Sequence, residues 1–129
     1  VLTNLPLVPD SPIEIGVREM CEVCGKCAKV CPGQAISFDE PTTEGPTISN
    51  NNGIYKWYIN PEKCFQFWVR NKGDCANCIR VCVFNKPDTR FHRFVRWHVK
   101  NLPRFDGFYL WMDDVCGYGK KIKMRDVWK

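Results

Sequence analysis

The sequence predicts an α+β fold, because short alternating apolar stretches typical of strands occur together with apolar residues three or four positions apart, as in helices. The chain has 129 residues with 44% apolar content, which is enough for one packed domain. Nine of the residues are cysteines. So many cysteines in a short chain indicate either a disulfide scaffold or metal ligation, and their spacing must decide between the two.

The first group of cysteines has gaps of two, two and three residues and is followed by Pro32. Its members are Cys21, Cys24, Cys27 and Cys31. This is the run of bacterial ferredoxins, in which thiolates hold a 4Fe-4S cluster. Two-residue gaps let a tight loop direct three sulfurs at one cube, and Gly25 relaxes the turn between them. The run therefore predicts iron-sulfur ligation.

The second group repeats the last three ligands of the first run with identical gaps. Its members are Cys64, Cys75, Cys78 and Cys82. The repeat departs from the first run twice, since ten residues separate Cys64 from Cys75 and Val83 stands where the first run has proline. Neither change removes a ligand. The sequence therefore predicts a second 4Fe-4S cluster.

Each cluster is expected to draw one ligand from the other run. In two-cluster ferredoxins the fourth cysteine crosses over, because the short helix that carries it projects its sulfur away from its own loop. The first cluster is then held by Cys21, Cys24, Cys27 and Cys82. The second is held by Cys64, Cys75, Cys78 and Cys31. Disulfides and zinc are weaker alternatives, since cysteines two residues apart on such loops do not easily pair and zinc sites rarely use this spacing.

The chain is expected to have three parts. Residues 1–17 contain three prolines and predict an extended arm that packs onto another surface. Residues 18–88 are expected to form a bacterial two-cluster ferredoxin-like module. Residues 89–129 are expected to form a C-terminal helical extension. The α+β class rests on the strands of the central module.

Two insertions distinguish this module from a simple ferredoxin. Strands are expected at 35–38 and 54–59, and the polar segment 40–53 between them is expected to be a long loop. Proline at a first helical position predicts a helix that begins at Pro61 and carries Cys64.

The extension is expected to contain two helices. Thr89 is expected to cap a helix from Arg90 to Leu102, with a basic face beside Trp97. A solvated surface is the simpler interpretation of that face, and contact with nucleic acid, anionic lipid or an acidic partner is the alternative. Its apolar face is formed by Phe91, Phe94, Val95, His98, Val99 and Leu102. The stretch from Phe108 predicts a second helix, ended by Gly117.

For one further cysteine and three lysines, the sequence favours a structural or solubilising role over a role at a cluster. Cys116 follows a hydrophobic stretch and is expected to be a buried, inert thiol, with ligation as the alternative. Lys26, Lys29 and Lys63 lie close to ligands in the sequence and are expected to be exposed, solubilising charges. The alternative is that they raise the potential of a cluster or receive an acidic electron donor.

The formal net charge of +5 does not indicate a nucleic-acid partner, because it counts every cysteine as neutral. Two clusters with four thiolates each would add about −2 apiece and bring the balance to about +1. No apolar run approaches the roughly 20 residues that span a bilayer. No signal peptide is recognisable, and because the chain opens with Val1, an N-terminal segment is expected to be missing.

The chain resembles the C-terminal part of reductive dehalogenases over essentially its whole length. The more specific motifs are Trp57, Asn85-Lys86-Pro87 and Gly117-Tyr118-Gly119. The others are Leu5-Pro6-Leu7, the segment 53–58, Glu62-Lys63-Cys64, Trp68, the segment 78–82, Phe84 and Met112-Asp113-Asp114. The resemblance implies two 4Fe-4S clusters that feed a corrinoid in an N-terminal domain or partner chain, where cobalt removes halogen from an organohalide. It implies no catalytic residue here, and it implies aromatic packing near the corrinoid by Trp57 and Tyr58.

The preferred function is therefore electron transfer from an upstream donor to a corrinoid in reductive dehalogenation, with no nucleic-acid partner. Respiratory members of the family imply a location at the outer face of the cytoplasmic membrane, by indirect association, and the cytoplasm is the alternative. The second function is a freestanding ferredoxin-like carrier, which an open apolar patch would argue against. The third is a zinc module that binds nucleic acid through its basic helix.

Overall fold

Six α-helices and one short 3₁₀-helix make up the regular structure of the computed structural model, which describes residues 4–122. The helices are α1 Val17–Cys24, α2 Lys26–Val30, α3 Pro61–Asn71, α4 Asn77–Val81, α5 Arg90–Asn101 and α6 Asp106–Val115, with the 3₁₀-helix at Pro103–Phe105. Gly25 lies between α1 and α2 with a positive φ of 53°, so the first cysteine run turns sharply there. None of the helices in the described residues is long and apolar enough to cross a membrane.

The predicted strands are wrong, and the α+β class is not supported within residues 4–122. Only two isolated antiparallel bridges occur there, between Ile36 and Ile59 and between Thr42 and Lys56. Single pairs do not extend into a ladder, because so few residues cannot stabilise an independent hairpin. The buried Tyr58 holds the inserted loop instead, since its hydroxyl group lies 3.1 to 3.2 Å from three loop carbonyl groups.

Local capping chemistry explains where α3 and α5 begin. The Asn60 side chain accepts a hydrogen bond from the Lys63 N–H, and Pro61 follows at the first helical position. Thr89 accepts a hydrogen bond from the His92 N–H at the start of α5. The predictions that Cys64 lies on a helix and that Thr89 caps the next one are therefore confirmed.

The apolar core joins the cysteine module to the C-terminal helices. Met20 of α1, Val99 of α5 and Leu110 of α6 are buried against one another. The tail helix α6 ends before Gly117, which has a φ of 82°, as the sequence predicts. Since one core contains residues from both sides of position 88, the C-terminal helices support the region that carries the ligands. The division into three parts itself stays a prediction.

The N-terminal arm is extended and contains no helix between residues 4 and 15. Its prolines prevent regular hydrogen bonding, which agrees with the expected conformation. The arm is also largely exposed, and Val8 retains 91% of its accessible surface. Apolar side chains such as Leu7 and Ile13 therefore face solvent.

Candidate functional site

Two short helices place the ends of the cysteine runs side by side. Helix α2 packs against α4, and each is five residues long. Cys31 ends α2 with φ −65° and ψ 110°, and Cys82 ends α4 with φ −61° and ψ 129°. Their N–H groups bond to Ala28 and Ile79 carbonyl groups at 3.2 Å in both cases. Val83 therefore leaves the local geometry equivalent to that before Pro32.

The eight cysteines of the two groups line two adjoining cavities. The larger cavity has a volume of about 370 Å³ and is lined by Cys21, Cys24, Cys27, Cys78 and Cys82, with Ile36, Phe38 and Trp57 among the other residues. The smaller cavity is lined by Cys31, Cys64, Cys75 and Cys78, with Pro32 and Phe67 beside them. Because Cys78 borders both, the two cavities lie next to each other. Sequence segments more than 40 residues apart thus meet around each space.

The pKa values of the thiols are affected by cysteines that line the same cavity. Burial, together with the nearby Cys24, Cys27 and Cys82, raises the pKa of Cys21 to about 11. Burial also raises the pKa of Cys64, with added contributions from Cys31 and Cys75. Where neighbouring thiols raise the pKa of one another, a bound positive charge strongly favours the thiolate form, because that charge stabilises all of the thiolates together.

This donor set fits an iron-sulfur cluster. All nine cysteines are free thiols, so none is joined in a disulfide. Among residues 4–122, no three His, Cys, Asp or Glu side chains are placed to share a single metal ion. The sulfurs surround a cavity and do not converge on the position of one ion. Such a space suits an inorganic core that carries one iron for each thiolate.

Residues 20–86 match the family model of the 4Fe-4S dicluster domain. The chain belongs to this family. It is also 43% identical over 128 residues to a tetrachloroethene reductive dehalogenase of Sulfurospirillum multivorans, a match that covers 99% of the chain and 26% of that protein. A trichloroethene reductive dehalogenase of Dehalococcoides mccartyi is 36% identical, with 99% of the chain and 22% of that protein covered.

A solved structure of a reductive dehalogenase, described as B12-dependent, superposes with a TM-score of 0.75 at 33% identity. The match covers 91% of the chain and 16% of that structure. The resemblance predicted from the sequence motifs is therefore confirmed. The dicluster chain spans about a quarter or less of the length of these relatives.

Hydrogen-bond donors surround the sulfurs of the dicluster domain. The Ala35 N–H lies 3.3 Å from the Cys31 sulfur. Burial raises the pKa of Cys24, while the Lys26 N–H and the Lys26 charge act in the opposite direction. Burial is also the largest cause of the raised pKa of Cys27, and the Ala28 N–H acts to lower that pKa. Donors of this kind stabilise thiolates and tune the potential of a bound cluster.

Asn77 is a site residue that the sequence analysis missed. It is 2% exposed and lies between Cys75 and Cys78 in the sequence. Its amide nitrogen lies 3.6 Å from the Cys75 sulfur and 3.3 Å from the Ile122 carbonyl oxygen. Its amide oxygen accepts a hydrogen bond from the Ile122 N–H at 3.2 Å. Asn77 thereby joins the second cysteine run to the C-terminal tail, and no local sequence pattern indicates that contact.

Two predictions about residues near the dicluster site are wrong. Cys116 is exposed, directly after the last residue of α6. Lys26 is buried at 6% exposure and does not act as a surface charge. Its partners are acidic residues of α6, far away in the sequence. Lys29 and Lys63 are exposed, as expected.

Proposed function

We propose that this chain delivers electrons through two 4Fe-4S clusters to a corrinoid in a reductive dehalogenase that acts on an organohalide. The main observation in support of this proposal is that cysteines from two distant runs meet around two adjoining cavities, in a chain similar to reductive dehalogenases. When bound, each cluster exchanges one electron at a time. The corrinoid would belong to a further domain or a partner chain, where the bond to halogen is broken.

The proposed ligands of the first cluster are Cys21, Cys24, Cys27 and Cys82, and those of the second are Cys64, Cys75, Cys78 and Cys31. The causes of the raised thiol pKa values support the first set, because Cys82 adds to the effect of burial on the pKa of Cys21, Cys24 and Cys27. Cys31 contributes to the raised pKa of Cys64 and Cys78, which supports the second set. The short distance between adjoining cavities would allow an electron to pass from one cluster to the other.

Open apolar surface favours a partner domain over a freestanding carrier. The arm exposes Val8 and Ile13, and α3 exposes Phe65 and Val69. Soluble monomers rarely leave large contiguous apolar patches in water. We therefore place a corrinoid-binding domain or subunit against this chain and an electron donor upstream of it. The similarity to reductive dehalogenases supports a location at the outer face of the cytoplasmic membrane, by indirect association, with the cytoplasm as the alternative.

Metal analysis and spectroscopy test this function. The anaerobically purified chain should contain about eight iron and eight sulfide per chain, and after reduction its paramagnetic resonance spectrum should contain two interacting spins. Zinc, or about four iron, would overturn the assignment. In the complete corrinoid-loaded protein, chloride release from tetrachloroethene should fall when Cys82 is replaced by alanine. Replacement of the exposed Cys116 by alanine is the matched control and should leave chloride release unchanged.

A further inference from the structure

Lys26 lies between two proposed ligands of the first cluster, and its ammonium group is held by α6. The Lys26 Nζ atom lies 2.6 Å from Asp113 Oδ2, 2.8 Å from Asp114 Oδ1 and 3.2 Å from the Leu110 carbonyl oxygen. All three possible donor directions of the ammonium group are thus used. Two carboxylates and one carbonyl oxygen surround the buried ammonium group. The side chain is therefore a fixed positive charge.

A second lysine converges on the same carboxylate from the other cysteine run. Lys86 follows Cys82 by four residues, and its Nζ atom lies 3.1 Å from Asp113 Oδ1. The contact is an ion pair without hydrogen-bond geometry, and the ammonium group also lies 4.2 Å from the centre of the Tyr118 ring. Asp113 consequently bridges Lys26 and Lys86, each close in sequence to proposed ligands of the first cluster.

The tail packs closely over this group of charges. A methyl group on Gly119 would collide with Asp114 Oδ1 and would lie 3.5 Å from Lys26 Nζ. The tail therefore passes close to the Asp114 carboxylate, although the Asp114 side chain remains 56% exposed. Two lysines and two aspartates balance to zero net charge in this group, in which Lys26, Lys86 and Asp113 are largely buried and Asp114 is partly exposed. At low local dielectric, a change of one charge here acts on nearby ions far more strongly than at the surface.

We propose that Asp113 and Asp114 are positioning residues that set the reduction equilibrium of the first cluster by balancing the charges of Lys26 and Lys86. This inference rests on the proposed two-cluster function. Reduction adds one negative charge to a cluster, so an uncompensated lysine nearby favours the reduced form. An uncompensated aspartate favours the oxidised form. The C-terminal extension would thereby keep the first cluster a stronger reductant than its two lysines alone would allow.

Opposite charge changes in the same ion group test the proposal. In the cluster-loaded protein, Asp113→Asn should move one of the two midpoint potentials upward, and Lys26→Gln should move the same one downward. A tenfold change in the reduction equilibrium corresponds to about 59 mV for one electron. Potentials are measured by paramagnetic resonance during an anaerobic redox titration. The matched control is Asp88→Asn, which removes an exposed carboxylate paired with Arg96, and should move neither potential.

A purely structural ion pair predicts a different pattern. Both substitutions would then weaken the fold, and the potentials would stay in place or move in the same direction. Either result at an unchanged content of about eight iron would overturn the inference and leave the proposed function intact. An iron content of about four in the unsubstituted protein would instead overturn the function. If Asp113→Asn does not fold, Asp114→Asn provides the same test, because Asp114 is 56% exposed and should give a smaller upward shift.

Discussion

Cys31 and Cys82 end two packed helices with nearly the same backbone conformation, although they belong to different cysteine runs. Each sulfur lies beyond the end of its own helix. Cys82 lines the cavity that contains Cys21, Cys24 and Cys27, whereas Cys31 lines the cavity with Cys64. Two equivalent helices packed against each other thus agree with the proposed crossed ligands, and that proposal predicts which pairs of substitutions should remove one cluster and which should remove both.

The crossed ligand assignment predicts the iron content of two double variants. Cys21→Ala with Cys82→Ala should remove ligands of one cluster and leave about four iron per chain. Cys21→Ala with Cys31→Ala should remove a ligand from each cluster and leave little iron. Anaerobic iron and sulfide analysis measures both. An uncrossed assignment predicts the reverse order, and Cys116→Ala should retain about eight iron.

Replacement of Asp113 by alanine is expected to destabilise the protein by about 3–5 kcal/mol, because it leaves the buried Lys86 ammonium group without a carboxylate and leaves Lys26 with only the partly exposed Asp114. Replacement of Asp88 by alanine should cost less than about 1 kcal/mol, since Asp88 is 68% exposed and its ion pairs are screened by water. Anaerobic denaturant unfolding of the cluster-loaded protein, followed by helical circular dichroism, provides the comparison. Equal losses for the two variants would contradict the buried role of Asp113.

The elements that the sequence predicted correctly depend on local chemistry. Thr89 and Pro61 determine helix starts through neighbouring N–H groups, and cysteine gaps describe loops of only a few residues. The strands failed because pairing depends on a partner segment, and here Ile36 meets only Ile59. An alternating pattern predicts the faces of a strand and not the length of its ladder.

The burial of Lys26 was not predictable from its neighbours. Its sequence context, between cysteines on a short loop, is equally suitable for a solvated lysine. The partner Asp113 lies 87 residues away and is brought into contact only because α6 packs against α1. The segment Met112-Asp113-Asp114 is one of the motifs of the resemblance, but the sequence offers no physical link between it and the first cysteine run. Such long-range pairs require the tertiary structure.

Asp106 is expected to make folding stability depend on pH. It is 2% exposed, no described group donates a hydrogen bond to its Oδ1 atom, and burial, aided by the charge of Glu19, raises its pKa. A raised folded-state pKa contributes stability that is complete below the unfolded pKa of 3.8 and is lost as pH rises through the folded value. Asp106→Asn should therefore raise the free energy of unfolding at pH 7, by of order 1 kcal/mol.

The gain from Asp106→Asn should shrink as pH falls towards 4, because a larger fraction of the wild-type carboxyl group is then protonated and neutral. Denaturant unfolding at pH 7 and near pH 4 measures the difference. Asp10→Asn is the matched control, since Asp10 is exposed on the arm and should change little at either pH. A gain that is equal at both pH values would point to hydrogen bonding by the amide instead of relief of a buried charge.

Gly16 is expected to be required where α1 approaches α5. Its φ is 73°, and a Cβ atom there would lie 2.9 Å from the Val99 carbonyl oxygen. Gly16→Ala should therefore cost about 1–3 kcal/mol, from the strained backbone and from the displacement of α5. The matched control is Gly73→Ala, because nothing lies within 4 Å of a Cβ atom at Gly73, and it should change stability by less than about 0.5 kcal/mol. Thermal or denaturant unfolding of both variants measures the two changes in stability. Because Val99 packs on Met20 in the shared core, a loss confined to Gly16→Ala would tie the stability of the first cysteine run to the position of α5.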